Sequence, residues 1–460
     1  MNKKIKGRDL IAMGYKQGKW FRTALEHVNT YRLSGEAMKN YLDYAQPQHI
    51  DPLGEAVPFH KNIRAESELE ESNVESVLNT MYSVMKTPTV IDGAVMPDAC
   101  PTGPVGNMPV GGVVKTRDAI HPAMHSADVC CSLMMTNFGH VDPKVALDAA
   151  HSITHFGGGG RKDHFDLTPE LEKRIKNNQY FQDQKSLAAA QTHLGTQGDG
   201  NHFLYIGQLE STGETVMVTH HGSRGFGANL FSQGMKVAEQ YRKDISPKTP
   251  KRHAWIPFCQ DDGKAYWEAL QIVREWTKLN HQVLHRATYD KLDREPNHQF
   301  WNEHNFVFRE GDDFYHAKGA TPLDAKFVPD AEDGLRLVPL NMSEPILIVE
   351  GNTTDTNLGF APHGAGRNMS RTAHKRTKEG KTIEEIFANE TAGLDIRFFS
   401  GNIDISELPS AYKNADVVQS QMEEFDLGTV ADKILPYGCI MAGDWQLDAP
   451  WRKRRRNRKR

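Results

Sequence analysis

The run Thr215-Val216-Met217-Val218-Thr219-His220-His221-Gly222-Ser223-Arg224-Gly225 decides how this chain is read. Its first four residues are β-prone and have the character of a buried strand. Two histidines follow, and then small residues that let the backbone turn and approach a ligand closely. The same grammar recurs in Asp128-Val129-Cys130-Cys131, in Gly198-Asp199-Gly200-Asn201-His202-Phe203, and in Glu303-His304-Asn305-Phe306 ahead of Val307-Phe308. One such histidine alone is usually a satisfied structural residue. Four such sites in one chain, most of them flanked by Gly or Asn, reverse that balance. They predict strands that end in metal ligands.

One aspartate, one cysteine and three histidines suit manganese or zinc better than magnesium, because thiolate and imidazole are softer than carboxylate oxygen. Two divalent ions about 3.5–4 Å apart would fit five ligands and a reaction at phosphate. A further stretch supplies a partner for such a centre. His363-Gly364-Ala365-Gly366-Arg367-Asn368-Met369-Ser370-Arg371 sets a histidine among small residues and follows it with two arginines four apart. Guanidinium forks match phosphate geometry. The stretch therefore reads as a nucleophilic or metal-bound histidine meeting a phosphorylated substrate. A glycine-rich turn leading into a helix with a surface arginine face uses the same residues.

Bulk properties set the frame. A chain of 460 residues can bury a large core, and no run of about 18 apolar residues predicts a membrane span. The basic start Met1-Asn2-Lys3-Lys4-Ile5-Lys6 lacks the apolar stretch of a signal peptide. Five cysteines (Cys100, Cys130, Cys131, Cys259, Cys439) form no disulfide framework, which predicts a cytoplasmic protein whose clustered thiols are ligands or reactive groups. The net charge is −4, yet Arg452 to Arg460 hold eight Lys or Arg and no acid. An acidic body with a basic tail predicts a phosphate-rich partner.

Along the chain, residues 1–45 are predicted to be a helical appendage. Gly7 to Phe21 resemble the small helical motif near the C-terminal end of CCA-adding tRNA nucleotidyltransferases, which implies RNA contact. Residues 46–90 are predicted to be a linker and an amphipathic helix. That helix opens with a capping box at Ser67 and Glu70, and buries Val74, Val77, Leu78, Met81 and Met85 on one face. From Thr89 short β-prone runs alternate with Gly and Pro, as at Gly111–Val114 and Ile346–Val349. A long helix is predicted over about 265–286. Gly157 to Gly160 read as a loop, since no P-loop ending follows. Residues 91–443 thus form the predicted catalytic domain, and residues 444–460 a disordered basic tail. The fold class is α/β (α+β), a β-rich central core with surrounding helices.

The order of these motifs resembles the RtcB family of tRNA-splicing RNA ligases over about residues 96–443. The resemblance is carried by Met96-Pro97-Asp98, Pro109 to Val113, Asp128 to Cys131, Gly195 to Phe203, His220 to Gly227, His304-Asn305, Lys318-Gly319-Ala320-Thr321 and His363 to Arg367 with Ser370-Arg371. It implies two manganese ions, bridged by Cys131 and held by Asp128, His202, His220 and His304. His363 would accept GMP from GTP as a phosphoramidate. Asn201, Asn305, Asn341, Gly364, Ala365 and Gly366 fall at nucleotide-binding positions, and Arg224, Lys318, Arg367 and Arg371 where RNA or phosphate is met. The implied reaction opens a 2′,3′-cyclic phosphate, joins the 3′-phosphate to GMP, and lets a 5′-hydroxyl end displace GMP, in RNA repair or tRNA splicing. A protein activator is a further implied partner.

The sequence departs from the family in places. The family's Asp-hydrophobic-Gly-Cys-Gly reads Asp128-Val129-Cys130-Cys131-Ser132, so Cys130 is an alternative thiolate. A histidine is replaced by Cys100, and an arginine by Ala317. The loop that lines the guanine pocket reads Pro339-Leu340-Asn341-Met342-Ser343, and the family's final Lys-Gly reads Ala442-Gly443. GTP as the nucleotide is the expectation these changes bear on. Two other readings fit the same motifs: a ligation-defective paralogue that binds cleaved RNA ends, and a metal-dependent cyclic phosphodiesterase.

Overall fold

Two β-sheets meet at a single residue, His304, in the computed structural model. It describes residues 4–445, apart from 19, 47–48, 104–105, 164, 329–333 and 352. On one side of His304 lies an eight-stranded sheet. Its strands run in the order Leu335–Pro339, Ile346–Glu350, Thr429–Met441, Phe203–Leu209, Thr215–His221, Ser132–Asn137 and His298–Glu303, with Asp395–Phe398 pairing in parallel to Thr429–Met441. On the other side a five-stranded sheet runs His60–Lys61, Val90–Cys100, Val110–Arg117, Asp313–Lys318 and Asn305–Glu310. Twelve α-helices among the described residues surround them. This is the mixed, β-rich architecture predicted.

The strand of the opening quotation runs from Thr215 to His221, three residues beyond the β-prone stretch that predicts it, and every residue in it is buried. Strand side chains alternate between faces. Val216 and Val218 therefore pack in one apolar cluster with Leu133, Leu337 and Met342, while Met217 packs in another with Leu147 and Ile206. The same alternation parts the two histidines. His220 follows Val218 to one face, and His221 follows Met217 to the other, where its ring stacks on His281 at 3.6 Å between centroids.

His281 belongs to the helix Asp261–Leu292, which is longer at both ends than predicted. Its buried face carries Leu270, Val273 and Trp276, and also Asn280, His281 and His285. These polar groups are satisfied. Thr219 Oγ1 lies 2.6 Å from His281 Nδ1 and 2.7 Å from His285 Nε2, and Ser132 Oγ and Thr136 Oγ1 take the remaining ring nitrogens. Burial holds both imidazoles well below their ordinary pKa, His285 at about 3, so the layer under the sheet is a neutral hydrogen-bonded network.

The segment after the N-terminal helices is bound to the body. Ile50 N–H donates to the Ile245 carbonyl, Leu53 N–H to Lys86 and Val57 N–H to Met85. The helix Glu68–Val84 begins at Ser67, whose Oγ accepts from Glu70 N–H at 3.3 Å. Only that half of the predicted capping box forms, because Glu70 Oε2 accepts from Glu66 N–H at 2.8 Å. The helices Gly7–Ala12, Trp20–Thr30 and Gly35–Ala45 share a core of their own around Leu10, Phe21, Val28 and Leu42. No helix among the described residues is long and apolar enough to cross a membrane. Of the predicted basic tail only Asp444 and Trp445 are described; its arginine-rich part lies outside the described residues.

Candidate metal and nucleophile site

Antiparallel pairing assembles the site. The strands starting at Phe203 and Ser132 begin at the end of the sheet where Thr215–His221 and His298–Glu303 finish. Their registers pair Phe203 with His220, Ser132 with His221, and Ser132 with Glu303. His202, His220, Cys131 and His304 are therefore delivered to one end of four neighbouring strands. His202 and Cys131 just precede their strands, His220 is the penultimate residue of its own, and His304 follows its own.

The ligand atoms converge. Cys131 Sγ lies 3.1 Å from His220 Nε2 and 3.6 Å from His202 Nε2, His220 Nε2 lies 3.1 Å from His304 Nε2, and His202 Nε2 lies 3.0 Å from Asp128 Oδ2. Two triads result, Cys131-His220-His304 and Asp128-Cys131-His202, and Cys131 belongs to both. Carbonyls fix two of the rings. His202 Nδ1–H donates to the Gln197 carbonyl at 2.7 Å and His220 Nδ1–H to the Asn201 carbonyl at 3.1 Å. Their Nε2 atoms face the cluster, that of His220 toward Cys131 Sγ and His304 Nε2, and that of His202 toward Cys131 Sγ and Asp128 Oδ2. Burial, with His202 and His363 nearby, lowers the His220 pKa to about 3, so that ring is neutral near pH 7. A cluster of this composition fits a divalent cation, and a thiol shared by two triads fits two of them.

The electrostatics without an ion agree. Burial and the Asp128 carboxylate push the Cys131 thiol far above its ordinary range. Burial also works to raise Asp128, but His202 overcomes it and the carboxyl titrates below its usual value. Cys130 is different. It takes positive φ (58°), lies fully buried, and sits near Glu303 and Arg274 beside the helix Asp261–Leu292. It belongs to neither triad.

His363 faces this cluster from the short strand Phe360–Pro362, which pairs with Ala320–Pro322. Its ring centroid is 4.9 Å from that of His304. Asp98 Oδ2 accepts from the His363 main-chain N–H at 3.1 Å and from Nδ1–H at 2.5 Å, which leaves Nε2 as the free nitrogen. Small residues make this fit possible. A Cβ on Gly319 would come 3.0 Å from His363 Cε1, and one on Gly366, at φ 70°, would run into the Asp98 carbonyl.

A cavity of about 1270 Å³ opens over these groups. Asp128, Cys131, His220, His304 and His363 line it, with Asn201, Asn305, Asn341 and Gly364 to Gly366. Lys318, Arg367 and Arg371 line it too. Lys318 Nζ donates to Thr102 Oγ1 and the Met108 carbonyl, and burial lowers its pKa to about 8. Both arginines converge on Glu407, whose side chain is 2% exposed. Arg367 Nη2 donates to Glu407 Oε2 at 2.5 Å, and Arg371 Nε to Oε1 at 2.6 Å. Arg224 does not line the cavity. Its half-buried guanidinium lies beside Gly198 and donates to the Gly157 carbonyl at 2.9 Å.

Three residues here are not singled out by the sequence reading. Asp98 occurs in a quoted motif, but nothing in its spacing couples it to a histidine 265 positions away. Glu407 lies in the short 3-10 turn Ile405–Glu407 with no local signal. Trp445 donates from Nε1 to Asp199 Oδ2 at 2.9 Å, and its ring packs on Gly157 and Gly158. Gly157 and Gly158 therefore leave room for an indole.

The profile described as tRNA-splicing ligase RtcB matches residues 148–442. Curated relatives of the same description include the Pyrococcus abyssi protein, 26% identical over 53% of this chain and 31% of that protein. The Aeropyrum pernix protein is 28% identical over 53% of this chain and 58% of its own length. For the Thermococcus kodakarensis protein the values are 24%, 55% and 61%. The match thus spans less than two thirds of each relative. Asp98, Asp128 and Cys131 lie ahead of the profile match.

Proposed function

This chain belongs to the RtcB family, and on that premise we propose that it is a metal-dependent RNA ligase that joins a 3′-phosphate or 2′,3′-cyclic phosphate end to a 5′-hydroxyl end. The observation that supports this most directly is the placement of His363, held by Asp98 and facing two donor triads that share Cys131.

Asp128, Cys131, His202, His220 and His304 would hold two divalent ions, with manganese favoured by the mixed donor set. Such ions, when bound, neutralise phosphate oxygens. The remaining work falls to the chain. The Nδ1–H bond to Asp98 fixes the His363 tautomer and offsets the charge its ring gains as Nε2 attacks the α-phosphorus of a nucleoside triphosphate. One N–P bond forms, the α–β bridging P–O bond breaks, and pyrophosphate leaves. An RNA 3′-phosphate oxygen then attacks the same phosphorus and frees His363. Last, the oxygen of a 5′-hydroxyl attacks the RNA phosphate, its proton passes to solvent, and the P–O bond to the nucleoside monophosphate breaks; a cyclic end enters this sequence after water has opened it to the 3′-phosphate. Lys318, Arg367 and Arg371 line the cavity where those phosphates would sit. The reading rests on positioning and charge neutralisation rather than acid–base chemistry.

The test is covalent labelling. Incubation with Mn²⁺ and α-labelled GTP or ATP is expected to give an acid-labile label on the protein that is absent from His363→Ala. No label with any nucleotide, or a label that survives in that variant, refutes the ligase reading.

A further inference from the structure

The walls of the cavity are unlike one another. On the side of the eight-stranded sheet the wall is made by Phe203, Tyr205, Met342, Ile346, Cys439 and Met441. Apart from Phe203, these are at most 6% exposed, and apart from Phe203 they pack together in one apolar cluster against which Phe203 lies. Phe203 also touches the metal-ligand shell, its ring centroid 5.2 Å from that of His220. Charged groups, Lys318, Arg367 and Arg371, line the same cavity. A nucleotide has the same polarity. With its phosphates at His363 and the cations, its base is left to the apolar wall.

That wall offers little with which to read a base. Tyr205 is its main polar residue, and its hydroxyl proton is already donated to the carbonyls of Ile434 and Glu344, at 3.1 and 3.3 Å. Cys439 is a buried thiol that burial keeps protonated. Asn341 Oδ1, one side-chain acceptor of the lining, already accepts from Ser343 N–H and Oγ–H, both at 2.9 Å. The carboxylates among the lining residues are Asp128, which sits in a ligand triad, and Glu407, which is taken by two arginines and Tyr412. The hydrogen-bonding edge of guanine carries three polar positions, two donors and one acceptor, and no free carboxylate meets the donors.

We infer that this pocket takes the nucleobase by stacking and dispersion and therefore discriminates only weakly between GTP and ATP. The inference rests on the proposed function for the placement of the phosphates. Every base has an apolar face, so stacking on an apolar wall is tolerant of base identity. An apolar pocket separates ligands that differ by a polar group by only about 100-fold, whereas a site built to hydrogen-bond rejects the wrong one by about 10⁴-fold or more.

Two measurements on the full chain with Mn²⁺ decide it. The first is the rate of covalent labelling with α-labelled GTP, ATP, CTP and UTP. The second is equilibrium binding of the same four nucleotides to His363→Ala, which reads the base without the chemistry. Expected are GTP and ATP values within ~100-fold of each other in both, and a loss of affinity in Met342→Ala that is equal for the two purines. A GTP preference above that bound in either measurement overturns base tolerance and leaves the ligase reading intact. Tight, base-tolerant binding with no labelling refutes the covalent chemistry and upholds the pocket. If neither binding nor labelling occurs, both fall.

Discussion

Asp98 holds His363 by two hydrogen bonds to one carboxylate oxygen, Oδ2, and its other oxygen is buried with no partner among the described residues. The carboxylate sits behind the nitrogen opposite the nucleophilic one. Asp98→Asn keeps the shape and removes the carboxylate, and the amide can present an N–H where an acceptor is needed. The rate of nucleotide transfer to His363 is expected to fall on the order of 100-fold or more. An unchanged single-turnover rate in a folded variant would remove Asp98 from the mechanism.

Two adjacent cysteines should separate cleanly. Cys131 belongs to both donor triads and Cys130 to neither. In Cys131→Ser the metal content, measured by elemental analysis after equilibration with Mn²⁺, should drop from two ions per chain to one or none. Cys130→Ser should keep its metal and show only a change in thermal midpoint. Metal loss from Cys130→Ser but not from Cys131→Ser would reverse the assignment.

Lys318 gives a pH signature. Its amine has an ordinary pKa of 10.5, and burial lowers it to about 8 in the folded chain. Between those values the unfolded chain binds more protons than the folded one, so this group makes stability rise with pH from about 8 to 10.5. Phosphate binding runs the other way, because the charge is lost as pH passes 8. Affinity for an RNA 3′-phosphate is expected to decline above pH 8 in the wild type. In Lys318→Arg that decline should be absent, since a guanidinium stays charged.

Glu407 is a buried carboxylate shared by Arg367, Arg371 and Tyr412. Glu407→Gln leaves two guanidinium groups facing a neutral amide. The expected cost is about 2 kcal/mol in urea unfolding, below the usual figure for breaking a buried pair because Arg371 is half exposed. Affinity for the RNA phosphate should move less than in Arg367→Ala. A larger loss of binding than of stability would mean that Glu407 itself meets the substrate.

How much of this was legible in the sequence follows from what strands and histidines signal locally. The β-prone runs and the donors at their ends are local patterns, so the β-rich core and the residues His202, His220, His304 and His363 could be named. What brings them together is register, and register is set by pairing between distant segments. Nothing near Thr215 says that the strand continues through His221 and so sends its two histidines to opposite faces. Likewise, Asn280, His281 and His285 read as interruptions of an apolar helix face, although they complete a buried network under the sheet. Asp98 bonds a histidine 265 residues away and Glu407 two arginines 36 and 40 residues away, and no spacing rule reaches that far.

His304 is the one-residue link between Glu303, at the edge of the larger sheet, and Asn305, at the edge of the smaller one. An ion gripped jointly by His304, His220 and Cys131 would fasten the two sheets where the backbone joins them by a single hinge-like residue. Metal loading then has a mechanical side: it would stiffen the seam of the fold as well as prepare the site, by ordinary mass action on the folded state. Chelation should accordingly be felt in hydrogen exchange along Asn305–Glu310 and His298–Glu303 before it is felt in the distant core. In such a protein the supply of metal would govern how long the chain survives, not only how fast it works.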